Sequence, residues 1–419
     1  MTRILCIFSG SLGHYKGFDK FVKANDIRNE IIYASNDPKA SKTIPKYWHI
    51  NSHPAYVNHE FLLKIPLMEK LNLKIEDVFY QRRMRDLSQL LDKVKPEVLI
   101  LDNFNYTDAL IVRDLNRYPG LKVLLYQTRL STALNNSNAY GVPYGKEFRM
   151  MKSKKILKIQ NRLRRRERWM MPGFSIGYQI PNLFKKFHFQ NVTWNQKRYG
   201  IPTLSYLPEM VISPIALSTY SAPNQYYMGL GIPHNIKPLK VSKTKNVLVS
   251  FGSLSFTFAY TNKYVETIRD LARTFKNLTF FAPRSFEAKV IGSNVEYYDW
   301  NTYNQALPRA HIHITLGGIN SIKDSLSHGL PMLICPMNLK SDQVHNALLF
   351  EKLGMAEVWN LMQDDTDSIR QKIESLLRSG KREVITDFVR QDKLENPPEK
   401  LQEVFDTLIN DERWAVKHW

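Results

Sequence analysis

Short β-rich runs, with longer stretches of helical period between them, recur in both halves of the chain. Ile4-Leu5-Cys6-Ile7-Phe8, Val98-Leu99-Ile100-Leu101 and Val123-Leu124-Leu125-Tyr126 form one series. A second series is Val247-Leu248-Val249-Ser250, Leu278-Thr279-Phe280-Phe281, Ile312-His313-Ile314-Thr315 and Met332-Leu333-Ile334-Cys335. Glu266 to Phe275 and Asp342 to Leu353 read as helices between them. Strand–helix–strand alternation of this kind argues parallel, doubly wound sheets. The expected fold class is therefore α/β, with two doubly wound, Rossmann-like units.

The break between the units is legible in composition. Gly229-Leu230-Gly231-Ile232-Pro233 leads into the basic, Pro-punctuated stretch Lys237 to Lys245, which has neither helical nor strand period. This gives a first domain at 1–232, a linker at 233–245 and a second domain at 246–400, with a last helical segment at 401–419. The 419 residues agree with two domains, and 43% apolar content provides a core for each.

Cys6 and Cys335 each lie inside an apolar run, which excludes a disulfide framework and a zinc cluster and suits a reducing, cytoplasmic setting. No apolar stretch reaches the ~18 residues needed to cross a bilayer. The net charge of +20 favours anionic partners such as nucleotides or phospholipid surfaces.

The run Thr315-Leu316-Gly317-Gly318-Ile319-Asn320-Ser321-Ile322-Lys323-Asp324 carries the strongest chemical signal. A strand ends, two glycines permit a tight turn, and a helix begins with free N–H groups that suit a diphosphate. Taken alone it is also an ordinary strand–turn–helix connection. Gly329-Leu330-Pro331, Pro336 and Asp342-Gln343-Val344-His345-Asn346-Ala347 follow in order, with Ser250-Phe251-Gly252-Ser253 and Asp299-Trp300 upstream. This ensemble resembles the family 1 glycosyltransferases, which include UDP-glycosyltransferases and bacterial macrolide glycosyltransferases. Asn195 to Pro202 is similar to that family's interdomain approach segment.

The resemblance implies a GT-B fold, two Rossmann-like domains facing across a cleft, the C-terminal helix returning to the first domain. It also implies roles for individual residues. Trp300 would stack on the nucleotide base, and Gly317, Gly318, Asn320 and Ser321 would form the phosphate loop with Ser253 as a second phosphate contact. Asp324 would bind ribose hydroxyls, and Asp342 and Gln343 the donor sugar. Three residues depart from the pattern: Leu316 replaces a phosphate-binding His, Tyr303 replaces a Gln, and Asp324 replaces a longer Glu. A shorter carboxylate is compatible with a ribonucleotide or with a deoxynucleotide carrying one hydroxyl fewer.

In the first half, Phe8 to Phe18 is a Gly-rich turn carrying His14, and Asp102 ends the strand Val98 to Leu101 on the same side of the sheet. A sugar transfer with inversion needs a base for the acceptor hydroxyl and a carboxylate to orient it. The resembling family's base and its acidic partner match His14 and Asp102. A structural alternative makes His14 a loop cap.

His311 and His313 share one strand face without a third ligand, so they read as structural. Asp365-Thr366-Asp367 reads as a helix N-terminus rather than a metal motif. No metal and no cofactor are expected beyond the nucleotide sugar as cosubstrate. Lys152 to Arg168 holds nine basic residues and one acid, with Ile156, Ile159, Leu163 and Met170 on one helical face. It reads either as a solvated helix or as a contact for an anionic membrane or acceptor; nucleic acid ranks below both. Phe61, Leu62, Tyr80, Phe104, Tyr106 and Tyr140 supply apolar material for an acceptor.

The expected function is an inverting, metal-independent transfer of a hexose from a nucleotide sugar, UDP ranked before dTDP, to a hydroxyl of a hydrophobic small molecule or lipid-like acceptor. The alternative is a catalytically silent nucleotide-sugar-binding relative acting as a partner subunit.

Overall fold

The computed structural model describes residues 2–8, 12–35, 47–50, 78–102, 105–127, 130, 207–218, 224–232, 245–252, 261–299, 302–336, 342–361 and 363–418. The basic segment 152–168, the approach segment 195–202, linker residues 233–244, Ser253 and Trp300 lie outside them. So do Phe61, Leu62, Phe104, Tyr140 and the side chains of Tyr80, Tyr106 and Asp342.

The first half contains β1 (Arg3–Phe8), α1 (Leu12–Ala24), β2 (Glu30–Ser35), β3 (Tyr47–His49), α2 (Val78–Val94), β4 (Val98–Asp102), α3 (Tyr106–Leu115), β5 (Lys122–Gln127), β6 (Glu209–Val211) and β7 (Gln225–Tyr227). Its strands form a sheet of order β3-β2-β1-β4-β5-β6-β7, parallel throughout. The second half contains β8 (Lys245–Val249), α4 (Thr261–Thr274), β9 (Leu278–Pro283), β10 (Val295–Tyr298), β11 (Ile312–Thr315), α5 (Ile319–Ser327), β12 (Met332–Ile334), α6 (Asp342–Lys352), β13 (Ala356–Val358), α7 (Thr366–Arg378), α8 (Lys381–Glu395) and α9 (Pro398–Asn410). Its parallel sheet has the order β10-β9-β8-β11-β12-β13. The seven apolar runs all become strands or strand ends, and β1, β4, β8 and β11 are almost entirely buried, as strands covered on both faces must be.

Each sheet therefore reverses its strand order once, between β1 and β4 and between β8 and β11. The residues after those strands open into the crevice where doubly wound sheets bind ligands. His14 follows β1 and Asp102 ends β4; Gly252 and the Gly317-Gly318 turn follow the second pair.

The halves share a core. Leu130, Leu217, Leu230 and Ile232 of the first half cluster with Ile322, Leu326, Met332 and Ile334 of the second. Helix α9 carries Leu401, Phe405, Leu408 and Ile409 on one face, and these pack into the first half with Cys6, Phe18 and Phe21. The Phe21 and Phe405 rings lie 6.4 Å apart. Beyond α9 the chain stays on that half, where Val416 N donates to Leu121 O at 3.0 Å and Lys122 pairs with Glu412.

Among the described residues no helix is long and apolar enough to cross a membrane. Cys6 and Cys335 are free and buried, and burial pushes both thiols up.

Candidate active site

His14 sits in the first turn of α1, and Asp102 is the last residue of β4. Because β1 and β4 pair in parallel, the chain leaving one and the end of the other lie on the same edge of the sheet. His14 Nδ1 is 3.0 Å from Asp102 Oδ2. Asp102 is fully buried while the His14 side chain keeps about a fifth of its surface, 19%. The carboxylate is held in turn, since its Oδ1 accepts from Asn105 N at 3.2 Å. A carboxylate only accepts, so Nδ1 carries the proton and Nε2 is left as the basic nitrogen.

On the other sheet, β11 gives way to a turn that needs glycine. Gly317 has φ +84°, and a Cβ there would lie 2.8 Å from Ile334 Cγ2 and 3.0 Å from the Gln343 carbonyl oxygen. Two chain segments thus meet at this point: the turn and the start of α6. Asn346, buried on α6, donates from Nδ2 to Gly317 O at 2.8 Å and fixes that meeting. Gly318 is the N-cap of α5, with no side-chain cap hydrogen bond and no acidic residue in the first turn. The first intrahelical bond here is Ile322 N to Gly318 O. The N–H groups of residues 319–321 consequently have no intrahelical acceptor, which makes this end of α5 suited to an anion. Asn320 and Ser321 lie in this turn and Gln343 beside it; Asp342 begins α6.

The two half-sites touch. Asn320 Nδ2 donates to Gly13 O at 2.7 Å, and a Cβ on Gly17 would come within 2.8 Å of Asn320 Oδ1. One turn further along both helices, Lys20 Nζ is bonded to Asp324 Oδ1. Helices α1 and α5 therefore lie alongside each other in the same direction, their first turns together. Asp324 Oδ2 also accepts from the buried Tyr303 hydroxyl at 3.2 Å. Burial and the Asp324 charge hold that phenol well above its ordinary pKa, so it stays a donor.

Lys323, the neighbour of Asp324, is buried in the seam and donates from Nζ to Ile212 O. Burial pushes its pKa down to about 7, against the opposing pull of Asp392. Asp392 itself accepts from Leu230 N at 3.0 Å, and burial pushes its carboxyl up. Lys16 is shifted down, first by burial and then by Lys20.

The three departures from the family pattern have distinct structural fates. Leu316 is 4% exposed and belongs to the apolar cluster of Val249, Phe251 and Ile314, so its side chain lies in the core rather than the cleft. Tyr303 and Asp324 are bonded to each other. The histidine pair on β11 is structural: His313 is buried between Ser325 Oγ at 2.6 Å and Ser250 Oγ at 2.7 Å, and His311 Nδ1 accepts from Asn246 N. Asp365 caps α7 by accepting from Ser368 N at 2.8 Å. No cluster of three or more metal-ligating side chains occurs among the described residues.

Lys20, Lys323 and Asn346 were absent from the expected site. Asn346 belongs to the motif after Asp342-Gln343. For Lys20, the sequence offers only its place on the helix that begins at His14, with a partner 304 positions away.

The profile of the Glycosyltransferase family 28 C-terminal domain matches residues 273–407. An ecdysteroid UDP-glucosyltransferase of Autographa californica nuclear polyhedrosis virus is 26% identical over 175 residues, 37% of this chain and 34% of that protein. Human UDP-glucuronosyltransferase 3A2 is 25% identical over 166 residues, 36% of this chain and 31% of that protein. The chain thus matches about a third of the length of these curated relatives. Among solved structures, the glycotransferase of kitacinnamycin superposes with a TM-score of 0.64 at 16% identity, covering 97% of this chain and 99% of that one. Spinosyn rhamnosyltransferase SpnG complexed with thymidine diphosphate superposes at 0.61 and 14% identity, covering 97% and 100%. The fold is GT-B, and in fold as in the sequence of its second half the chain is similar to the family 1-like glycosyltransferases.

Proposed function

We propose that this protein transfers a hexose from a nucleotide sugar, a UDP-sugar before a dTDP-sugar, to a hydroxyl of a hydrophobic small molecule or lipid-like acceptor, with inversion and without a metal ion. The observation that carries the reading is the His14–Asp102 pair at 3.0 Å, held by α1 beside the open N-terminus of α5. His14 Nε2 takes the acceptor proton as the acceptor oxygen attacks the anomeric carbon. The bond from that carbon to the diphosphate oxygen breaks on the opposite face, and the nucleoside diphosphate leaves with the electron pair. Asp102 balances the imidazolium that forms, in the manner of other carboxylate–histidine pairs. Negative charge on the leaving diphosphate is met by the N–H groups at the start of α5, with Ser321 and Ser253 as hydroxyl donors. Asp342 and Gln343 would hold the sugar, Asp324 the ribose and Trp300 the base.

Curated relatives named as UDP-glucosyl- and UDP-glucuronosyltransferases support the UDP donor. The test is incubation with UDP- and dTDP-sugars and a panel of hydrophobic alcohols, following nucleoside diphosphate release and product stereochemistry. Release that persists in EDTA and yields the inverted anomer is expected; strict dependence on added divalent metal, or retention, overturns the mechanism. The proposal extends to contact with an anionic membrane surface through Lys152 to Arg168. Cosedimentation with anionic vesicles should weaken with salt and after charge reversal of Arg164, Arg165 and Arg166. Unchanged cosedimentation after that reversal removes the membrane contact from the reading.

A further inference from the structure

Asp324 is an expected donor contact whose carboxylate is gripped by both halves of the molecule. Tyr303, from its own half, donates to Oδ2, and Lys20, from α1 of the other half, is bonded to Oδ1. The carboxylate is 13% exposed, whereas the lysine side chain keeps 40% of its surface, so the pair sits at the mouth of the seam rather than deep within it. Asp324 is one helical turn beyond Asn320 and Ser321, the residues at the anion-suited end of α5. A negative charge at that distance repels a diphosphate, and the shorter side chain of Asp relative to Glu keeps it close to the helix. Lys20 offsets that charge.

We propose that Lys20 is a positioning residue for the donor. It holds the Asp324 carboxylate across the seam, aimed at the ribose, and cancels its repulsion of the adjacent diphosphate. The inference rests on the donor site proposed above and adds to it a residue from the half that carries the base. Its geometry has a second consequence. His14 and Lys20 are six residues apart on one helix, so the contact that presents the ribose carboxylate also fixes where the base stands relative to the donor. Gly17, between them, lies against α5, where a Cβ would come within 2.8 Å of Asn320 Oδ1.

The experiment compares binding of UDP and of uridine by calorimetry in the wild-type protein, Lys20→Met and Lys20→Arg, with thermal unfolding as a control for folding. Lys20→Met should weaken UDP roughly five- to ten-fold and uridine by less, since only the diphosphate feels the uncovered charge, while Lys20→Arg stays within about two-fold of wild type. In turnover, Lys20→Met should raise the donor KM and leave the acceptor KM unchanged. UDP affinity unchanged in Lys20→Met overturns the role of Lys20, and equal losses for UDP and uridine overturn the cancelled repulsion, in each case leaving the donor site standing. A wild-type protein that binds neither UDP nor dTDP overturns the donor site itself, and Lys20 with it.

Discussion

At the scale of single residues, the strongest test of what each position does comes from those whose surroundings decide their chemistry. Leu316 stands where the resembling family has an imidazole, and a chain read as letters suggests that restoring it would tighten nucleotide binding. Its side chain instead packs in the apolar core, so Leu316→His buries an imidazole without a designed partner. The expected outcome is a loss of about 1–3 kcal/mol of stability in urea unfolding, with no gain in UDP affinity by calorimetry; tighter UDP binding would place residue 316 at the phosphates after all. If the start of α5 holds the diphosphate as proposed, it does so without that charge-assisted hydrogen bond, worth about 1.5–3 kcal/mol, and the proposed donor use is attenuated rather than abolished. His313 makes a second case. Burial, reinforced by His328, pushes its pKa down to about 3, below the ordinary value near 6.5. The unfolded chain therefore binds a proton between these pH values that the folded chain refuses. The stability tied to neutral His313 is fully present above about pH 6.5 and is lost progressively as pH falls towards 3, on the order of 2 kcal/mol by pH 5. Urea midpoints at pH 7.5 and 5, compared between wild type and His313→Gln, check this: the variant should lose the His313 share of the acid sensitivity, and identical pH slopes would show that His313 contributes none.

At the scale of elements, what was legible followed from burial. The long strands announce themselves because a strand covered on both faces has little reason to carry polar residues in its middle, and β1, β4, β5 and β8 are such strands. Strands β3, β6 and β7 give no such signal: each is three residues long, too short to show a pattern, and Tyr47–His49 and Gln225–Tyr227 read as ordinary polar-aromatic stretches. They are strands because the sheet beside them offers partners, a tertiary effect that no local pattern encodes. The same holds for the site. His14, Asp102 and the Gly317-Gly318 turn were legible as ends of recognisable strands, whereas Lys20 acquires meaning only when α1 meets α5, and Tyr303 only when its hydroxyl meets Asp324. A buried ion pair between α2 and α3 was equally invisible: Arg83 Nε and Nη2 bond to Asp108 Oδ1 and Oδ2 at 2.9 and 2.6 Å, with both side chains nearly inaccessible. Arg83→Met takes the cation from a buried carboxylate and should cost about 3–5 kcal/mol, much of it recovered when Asp108→Leu is added. Chemical unfolding of the single and double variants decides between this and a pair that contributes little.

At the scale of the whole molecule, two sheets of equivalent strand order face one crevice, and the chain ties them together more than once. The cluster joining Leu230 and Ile232 to Ile322 and Leu326, the return of α9 to the first half, and the α1–α5 contact all span the boundary. His14 and the anion-suited helix end belong to different sheets, so neither half holds both parts of the proposed site. The family-model match over residues 273–407 therefore falls on the proposed donor side alone, and the acceptor must be sought experimentally. The most direct test of the account is to measure, in EDTA, acceptor-dependent nucleoside diphosphate release by wild type and His14→Ala, together with their UDP affinities. The account predicts that His14→Ala lowers turnover roughly 10²- to 10⁴-fold while UDP binds as in wild type; turnover within a few-fold of wild type would contradict it.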